Sequence, residues 1–138
     1  MIYILSSIFC YDVWFYLSHV ILHHPSFYEF HKQHHKNIHP RFMDTYVADH
    51  VETIFQGLGT FMPMIFYTPN LYEVAIVLCF LNIRGMCQHD DRTSWITSDH
   101  HLIHHRNPNY NFGQYWIDWT LGTAYPRKLT NPEPASTS

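Results

Sequence analysis

The pattern His-x-x-His-His occurs twice in this chain, as HKQHH at 31–35 and as HLIHH at 101–105. Histidine fills 13 of 138 positions. At that frequency roughly 0.1 such match is expected by chance, so the repetition is not an accident of composition. At about 100° per residue, positions i, i+3 and i+4 share one face of a helix. The spacing therefore predicts that His31, His34 and His35 point one way, and that His101, His104 and His105 do the same. His19 and His23, four apart, form a third pair at the end of an apolar run. Whatever this chain folds into has to satisfy eight imidazoles. Protonated, they repel one another; neutral, each carries a lone pair that a Lewis acid satisfies. Eight ligands exceed the four of a structural zinc site, so two metal ions are the natural count. An all-nitrogen donor set suits iron, copper or zinc and does not choose among them.

The apolar runs decide where such a site can sit. Residues 1–22 are apolar apart from Asp12 and His19. The run has the roughly 20 residues needed to cross a bilayer core of about 30 Å. It lacks the positive leader and the small-residue cleavage site of a secretory signal. A second apolar block is split at Pro69-Asn70 into legs 51–68 and 71–87. These legs carry Glu52, Gln56, Glu73, Asn82 and Arg84 and are short for secure spans, so they predict a hairpin dipping deep into the membrane. Every lysine and arginine lies in or beside the segments that join the apolar blocks on the histidine side. By the positive-inside rule that side is expected to face the cytoplasm. Between the blocks, Ser26 followed by Glu29 has the pattern of a capping box and predicts a helix from about Phe27, stopped by His39-Pro40. TSDHHLIHHRNP predicts another, from Ser98 or Asp99 to a point before Pro108. The expected fold class is all-α, an integral membrane helical bundle with a cytoplasmic-side, histidine-rich di-metal site. One domain is expected over 1–129, with a disordered polar tail over 130–138.

Charge and cysteine usage exclude other classes. A net charge of −3 gives no field for a polyanion, so no nucleic acid partner is expected. Cys10, Cys79 and Cys87 share no metal-type spacing and read as free thiols. Asp12 stands two helical turns before His19 on the same face. An acid within an apolar helix is costly, which makes Asp12 a candidate for orienting a ligand imidazole; an acid buffered by the membrane interface and a tyrosine hydroxyl is the alternative. His24 and His100 neighbour candidate ligands but point about 100° away from them, and His100, four before His104, stays open as a ligand. His39 and His50 lie outside any such pattern. Trp95, Trp116 and Trp119 are expected at the membrane interface, and Gly57, Gly59, Gly113 and Gly122 at packing and turn positions.

The order His19-x3-His23, His31-x2-His34-His35 and His101-x2-His104-His105 resembles the fatty acid hydroxylase and sterol desaturase superfamily of membrane di-iron enzymes. The lead-in Asp12-x3-Tyr16-x2-His19 is similar to that family's approach to its first box. QHDDR at 88–92 stands where such proteins carry a further histidine, which adds His89 to the ligands. HHLIHHRNPNYNFGQYWIDWTLGT resembles the closing signature of the sterol desaturase branch. The resemblance covers roughly 8–126. It departs at Val20, where an arginine often follows the first-box histidine, and at Gly85, where some relatives supply another ligand. Characterised members also carry further membrane helices ahead of the first box, whereas this chain begins almost at it.

The resemblance implies two iron ions, with zinc able to substitute in the isolated protein, held by His19, His23, His31, His34, His35, His89, His101, His104 and His105. It implies an oxidoreductase that uses O2 to hydroxylate or desaturate a sterol or fatty acyl lipid in the membrane, in the endoplasmic reticulum if the host is eukaryotic. Asp12 and Tyr16 would support the ligands. No flavin, haem or nicotinamide motif is present, so electrons are expected from a separate donor protein. Two other readings remain open at this point: an inactive membrane protein whose metals are structural, and a metal-handling protein, which the helical register argues against.

Overall fold

The computed structural model describes residues 1–126, and the expected polar tail lies outside the described residues. Among them are six α-helices and no strand: α1 (Ile2–Leu22), α2 (His50–Phe61), α3 (Leu71–Gln88), α4 (Ser94–Thr97), α5 (His100–Arg106) and α6 (Tyr115–Leu121). Among the described residues, only α1 and α3 are long and apolar enough to cross a membrane. Their outward positions agree: Ile2, Leu5 and Phe9 on α1 and Leu71, Ile76 and Ile83 on α3 are exposed apolar side chains. Asn70 caps α3 by accepting from the Glu73 amide (3.0 Å), and the Glu73 carboxylate in turn accepts from the Asn70 amide. The proline–asparagine pair thus starts the helix as well as breaking the apolar block.

The first leg of that block is shorter than expected. α2 stops at Phe61 and tightens into a 3-10 turn over Met62–Ile65, because Pro63 has no N–H to continue the α-helical ladder. At 12 residues α2 is about 18 Å long, too short to cross a bilayer core. It packs on α1 instead. Trp14 donates to the Phe55 carbonyl (2.6 Å), and a Cβ at Gly59 would lie 2.7 Å from Trp14 Cβ, so only glycine permits this approach. α3 packs on α1 through Tyr3, Val77 and Leu81.

The helix expected over 27–39 does not form. Ser26 makes no side-chain cap, and the segment is a run of turns with 3-10 pieces at Tyr28–Phe30 and His34–Lys36. Histidine is a middling helix former, and the imidazoles here are held by distant partners, so tertiary contacts override the local pattern. The helix predicted near 98–107 is present as α5. Cys10, Cys79 and Cys87 are all free. Trp95, Trp116 and Trp119 are exposed, with Trp116 stacked on Phe9 at 6.0 Å.

Candidate metal centre

The last turn of α1, the turns after it, the end of α3 and the short helix α5 bring nine histidines to one place. They separate into two groups. One nitrogen each from His19, His23, His31, His35 and His104 lies within 4.8 Å of every other, and the same holds for His34, His89, His101 and His105. These are the nine that the sequence singles out. Their division is not the expected one, however, because each His-x-x-His-His contributes to both groups. His31 and His35 enter the first group and His34 the second; His101 and His105 enter the second and His104 the first. On α5 the reason is angular. Positions i and i+4 lie about 40° apart around a helix, whereas i+3 and i+4 differ by about 100°. The middle histidine therefore leans to the other side, and the face expected to be common straddles two centres.

The nitrogens approach as ligands of a common ion do. Nε2 of His31 lies 2.9 Å from that of His19 and 3.0 Å from that of His35. Nε2 of His104 lies 3.1 Å from those of His23 and His35. In the second group His89 Nε2 is 3.1 Å from Nε2 of both His34 and His101. One of these pairs, His34 with His89, cannot be a hydrogen bond. His19, His34, His89 and His104 each place Nδ1 on a backbone carbonyl, of Phe112 (2.5 Å), Val47 (3.2 Å), Gly85 (2.7 Å) and Tyr110 (2.6 Å). A carbonyl only accepts, so Nδ1 carries the proton and Nε2 of the neutral ring presents a lone pair. Two lone pairs at 3.1 Å, as between His34 and His89, repel unless a cation lies between them. For two nitrogens each about 2.1 Å from one metal and at right angles, the separation is about 3.0 Å. His105 is buried with neither ring nitrogen hydrogen-bonded, which a fourth ligand position explains. The residues present therefore fit a pair of metal ions.

Electrostatics favour the same use. Burial and the neighbouring His35 pull His23 down to about 3; burial and the neighbouring His89 pull His34 to about 3 and His35 to about 4. Burial, with neighbouring imidazoles, also holds His31, His101, His104 and His105 below their ordinary value. All are neutral at pH 7, so a metal need not displace their protons. A histidine with a lowered folded pKa keeps its full contribution above the ordinary value of 6.5 and loses it as pH falls toward 3 or 4. The melting midpoint of chelated protein in detergent is expected to drop steadily between about pH 7 and pH 4. A flat profile there would contradict the buried, neutral cluster.

One supporting residue is absent from the sequence reading. Glu52, in the first turn of α2, is buried and places Oε1 2.7 Å from His31 Nδ1. The sequence marks it only as a charge that weakens a membrane leg, although an acid in an apolar block is itself a signal of function. With Nε2 on a metal, His31 Nδ1 carries the proton and Glu52 Oε1 accepts the hydrogen bond, which fixes the ring, while burial pushes the Glu52 carboxyl up to about 8. Replacing Glu52 by alanine is expected to lower metal affinity about 10–100-fold, measured by competition with a chelator; E52Q, which can still accept, should lose less.

The other candidates fall outside the groups. Asp12 takes hydrogen bonds from the Arg84 guanidinium rather than from an imidazole, which corrects the expectation that it orients a ligand; an ion pair partner 72 residues away has no local signature. Tyr16 supports no ligand directly, its hydroxyl lying 3.3 Å from Thr123 Oγ1. His100, open as a ligand in the sequence, bonds Asp118 at 2.9 Å and belongs to neither group. His24, His39 and His50 are exposed.

A cavity of about 310 Å³ adjoins both groups. His19 and His31 line it from the first and His34, His89 and His101 from the second, together with the apolar side chains of Phe15, Phe61, Leu78 and Leu81 and the charged Glu52 and Arg84. Gln88 and Gln114, joined at 3.0 Å, supply polar atoms at its wall.

The fold and site define a class: an all-helical membrane protein that gathers nine buried or half-buried histidines into two metal-type clusters beside a partly apolar cavity. The family model of the fatty acid hydroxylases matches residues 4–123, and the chain belongs to that family. It is 32% identical over 122 residues to the Delta(7)-sterol 5(6)-desaturase of Leptosphaeria maculans, covering 83% of this chain and 34% of that protein. It is 30% identical over 125 residues to the enzymes of the same name from Candida dubliniensis and Candida albicans, covering 84% of this chain and 32% of each. These relatives agree with the sterol desaturase character of the closing signature. The chain spans about a third of the length of these curated relatives. No solved structure matches it.

Proposed function

We propose that this chain carries the catalytic core of an O2-dependent, non-haem di-iron oxidoreductase that desaturates or hydroxylates a membrane lipid, with a sterol favoured over a fatty acyl chain. The observation that carries this reading is the meeting of both histidine clusters with one cavity that also has apolar walls at Phe15, Phe61, Leu78 and Leu81. The sterol preference rests on what the named relatives act on. His19, His23, His31, His35 and His104 would hold one iron, and His34, His89, His101 and His105 the other, with zinc able to take their place in isolated protein. Bound there, the iron pair supplies O2 activation and the oxidising power to remove hydrogen from an unactivated C–H bond, with electrons from a separate donor protein.

The chain's own residues do the rest. Phe15, Leu78 and Leu81 seat the hydrocarbon and exclude water from the reacting carbon. Imidazole donors survive an oxidising centre that would consume thiolates. Glu52 Oε2, buried without a hydrogen-bond partner, is the atom placed to hold a proton at the cavity edge. The domain is proposed to run over 1–129 with the histidine side toward the cytoplasm, in the endoplasmic reticulum of a eukaryotic host. The test is anaerobic iron loading in detergent, followed by O2 uptake and product analysis with a reductant and either sterols or fatty acyl lipids. Two irons per chain with sterol-dependent uptake and a new double bond are expected. Two irons without uptake on either lipid would overturn the enzymatic reading.

A further inference from the structure

Asp118 is fully buried on α6, and nothing in the proposed chemistry uses it. Its two oxygens accept four hydrogen bonds. Oδ1 takes the Phe112 amide (2.9 Å) and the Thr123 hydroxyl (2.7 Å); Oδ2 takes the Gly113 amide (2.8 Å) and His100 Nε2 (2.9 Å). Its backbone carbonyl accepts from the Thr123 and Ala124 amides. A buried carboxylate with every lone pair engaged holds its neighbours in one arrangement.

What it holds is the segment 110–113. The Phe112 carbonyl receives His19 Nδ1–H and the Tyr110 carbonyl receives His104 Nδ1–H. Between them Asn111 is buried with a left-handed backbone (φ 59°), a strained conformation that persists only where its surroundings enforce it. Asn111 is tied to the His100 carbonyl (2.9 Å) and the Tyr125 amide (2.7 Å). Gly113 lies against Tyr16, where an added Cβ would meet the ring at 3.0 Å, so the segment is pressed onto α1 one turn before His19. Both histidines served by this segment belong to the five-histidine cluster. The four-histidine cluster takes its carbonyls from Val47 and Gly85, on other segments.

We infer that Asp118 is a positioning residue for the five-histidine cluster, setting His19 and His104 through the Phe112 and Tyr110 carbonyls, while its bond to His100 reaches α5 beside His101 but no ring of the four-histidine cluster. The inference rests on the two-metal reading above. Asn at 118 keeps one acceptor but turns an NH2 toward the Gly113 amide and so releases the segment from one side.

The test uses cobalt(II) alone as the probe, titrated into chelated full chain in detergent and followed by its visible absorption. Two backgrounds isolate the clusters: His34→Ala with His105→Ala leaves the five-histidine site, and His23→Ala with His35→Ala leaves the four-histidine site. Asp118→Asn is expected to weaken cobalt about 10–100-fold at the five-histidine site and to change the spectrum of the bound ion, with at most about a threefold change at the other. Equal losses at both sites, or none at either, would overturn the assignment while leaving two metals in the unaltered chain. Failure of that chain to bind cobalt at all would overturn the two-metal reading itself. Should Asp118→Asn not fold, Thr123→Val removes one donor to Oδ1 and reads the same comparison: a loss confined to the five-histidine site supports the assignment, and any other distribution overturns it.

Discussion

Replacement of His104 by alanine is expected to remove one metal of two and to lower lipid turnover about 100-fold or more, since loss of a direct ligand should exceed the 10–100-fold typical of residues that merely orient one. Four nitrogens remain in its cluster, but His104 is the ring that closes it: its Nε2 lies 3.1 Å from those of both His23 and His35. His105→Ala should remove the other metal, because His105 is the one member of its cluster with no alternative partner for either nitrogen. The two variants should differ in which ion is lost, although the residues are adjacent in sequence. His24→Ala supplies the contrast. It neighbours His23, yet its ring is exposed, and both metals should remain. Iron counted per chain after anaerobic loading, with turnover measured alongside, checks all three. Loss of the same metal from His104→Ala and His105→Ala would contradict the division of the clusters.

That division marks the boundary of what the sequence could tell. Eight of the histidines are legible because local spacing encodes them in three short patterns, His89 enters only through the family resemblance, and the structure draws these nine together. Their sharing between two centres was not legible, since it depends on how α5 and the turns at 28–36 face each other. The helix expected over 27–39 failed for the same reason, a local pattern overruled by contacts to α3, α5 and Glu52. The ring orienters are mostly backbone carbonyls, at Val47, Gly85, Tyr110 and Phe112, and a carbonyl leaves no trace in residue type. Gly85 illustrates this. The sequence reads it as a missing ligand, whereas in the fold its carbonyl holds His89. The long apolar helices α1 and α3 were easy by contrast, because composition over some 20 residues carries that signal.

Breaking the Asp12–Arg84 pair is expected to destabilise the chain more than any other single change away from the histidines. The pair joins α1 to α3, the two helices long enough to span a membrane, and both side chains are largely buried (10% and 16% exposed). Arg84 also lies 5.7 Å and 5.5 Å from the ring centroids of Tyr11 and Phe80. Removing either partner strands a charge among apolar side chains, a loss of roughly 3–5 kcal/mol. Arg84→Met should therefore lower the melting midpoint in detergent sharply, and Asp12→Leu should do the same. The double variant Asp12→Leu, Arg84→Met leaves no stranded charge and should recover most of that loss, because well-packed apolar side chains replace buried pairs at little cost. Metal content should follow stability rather than the identity of residue 12, since Asp12 bonds Arg84 and no histidine ring. If the double variant were as unstable as the singles, Asp12 and Arg84 would be acting separately. If it were stable but lost the metal of the five-histidine cluster, Asp12 would have the hold on His19 that its place two turns earlier on α1 suggests from sequence alone.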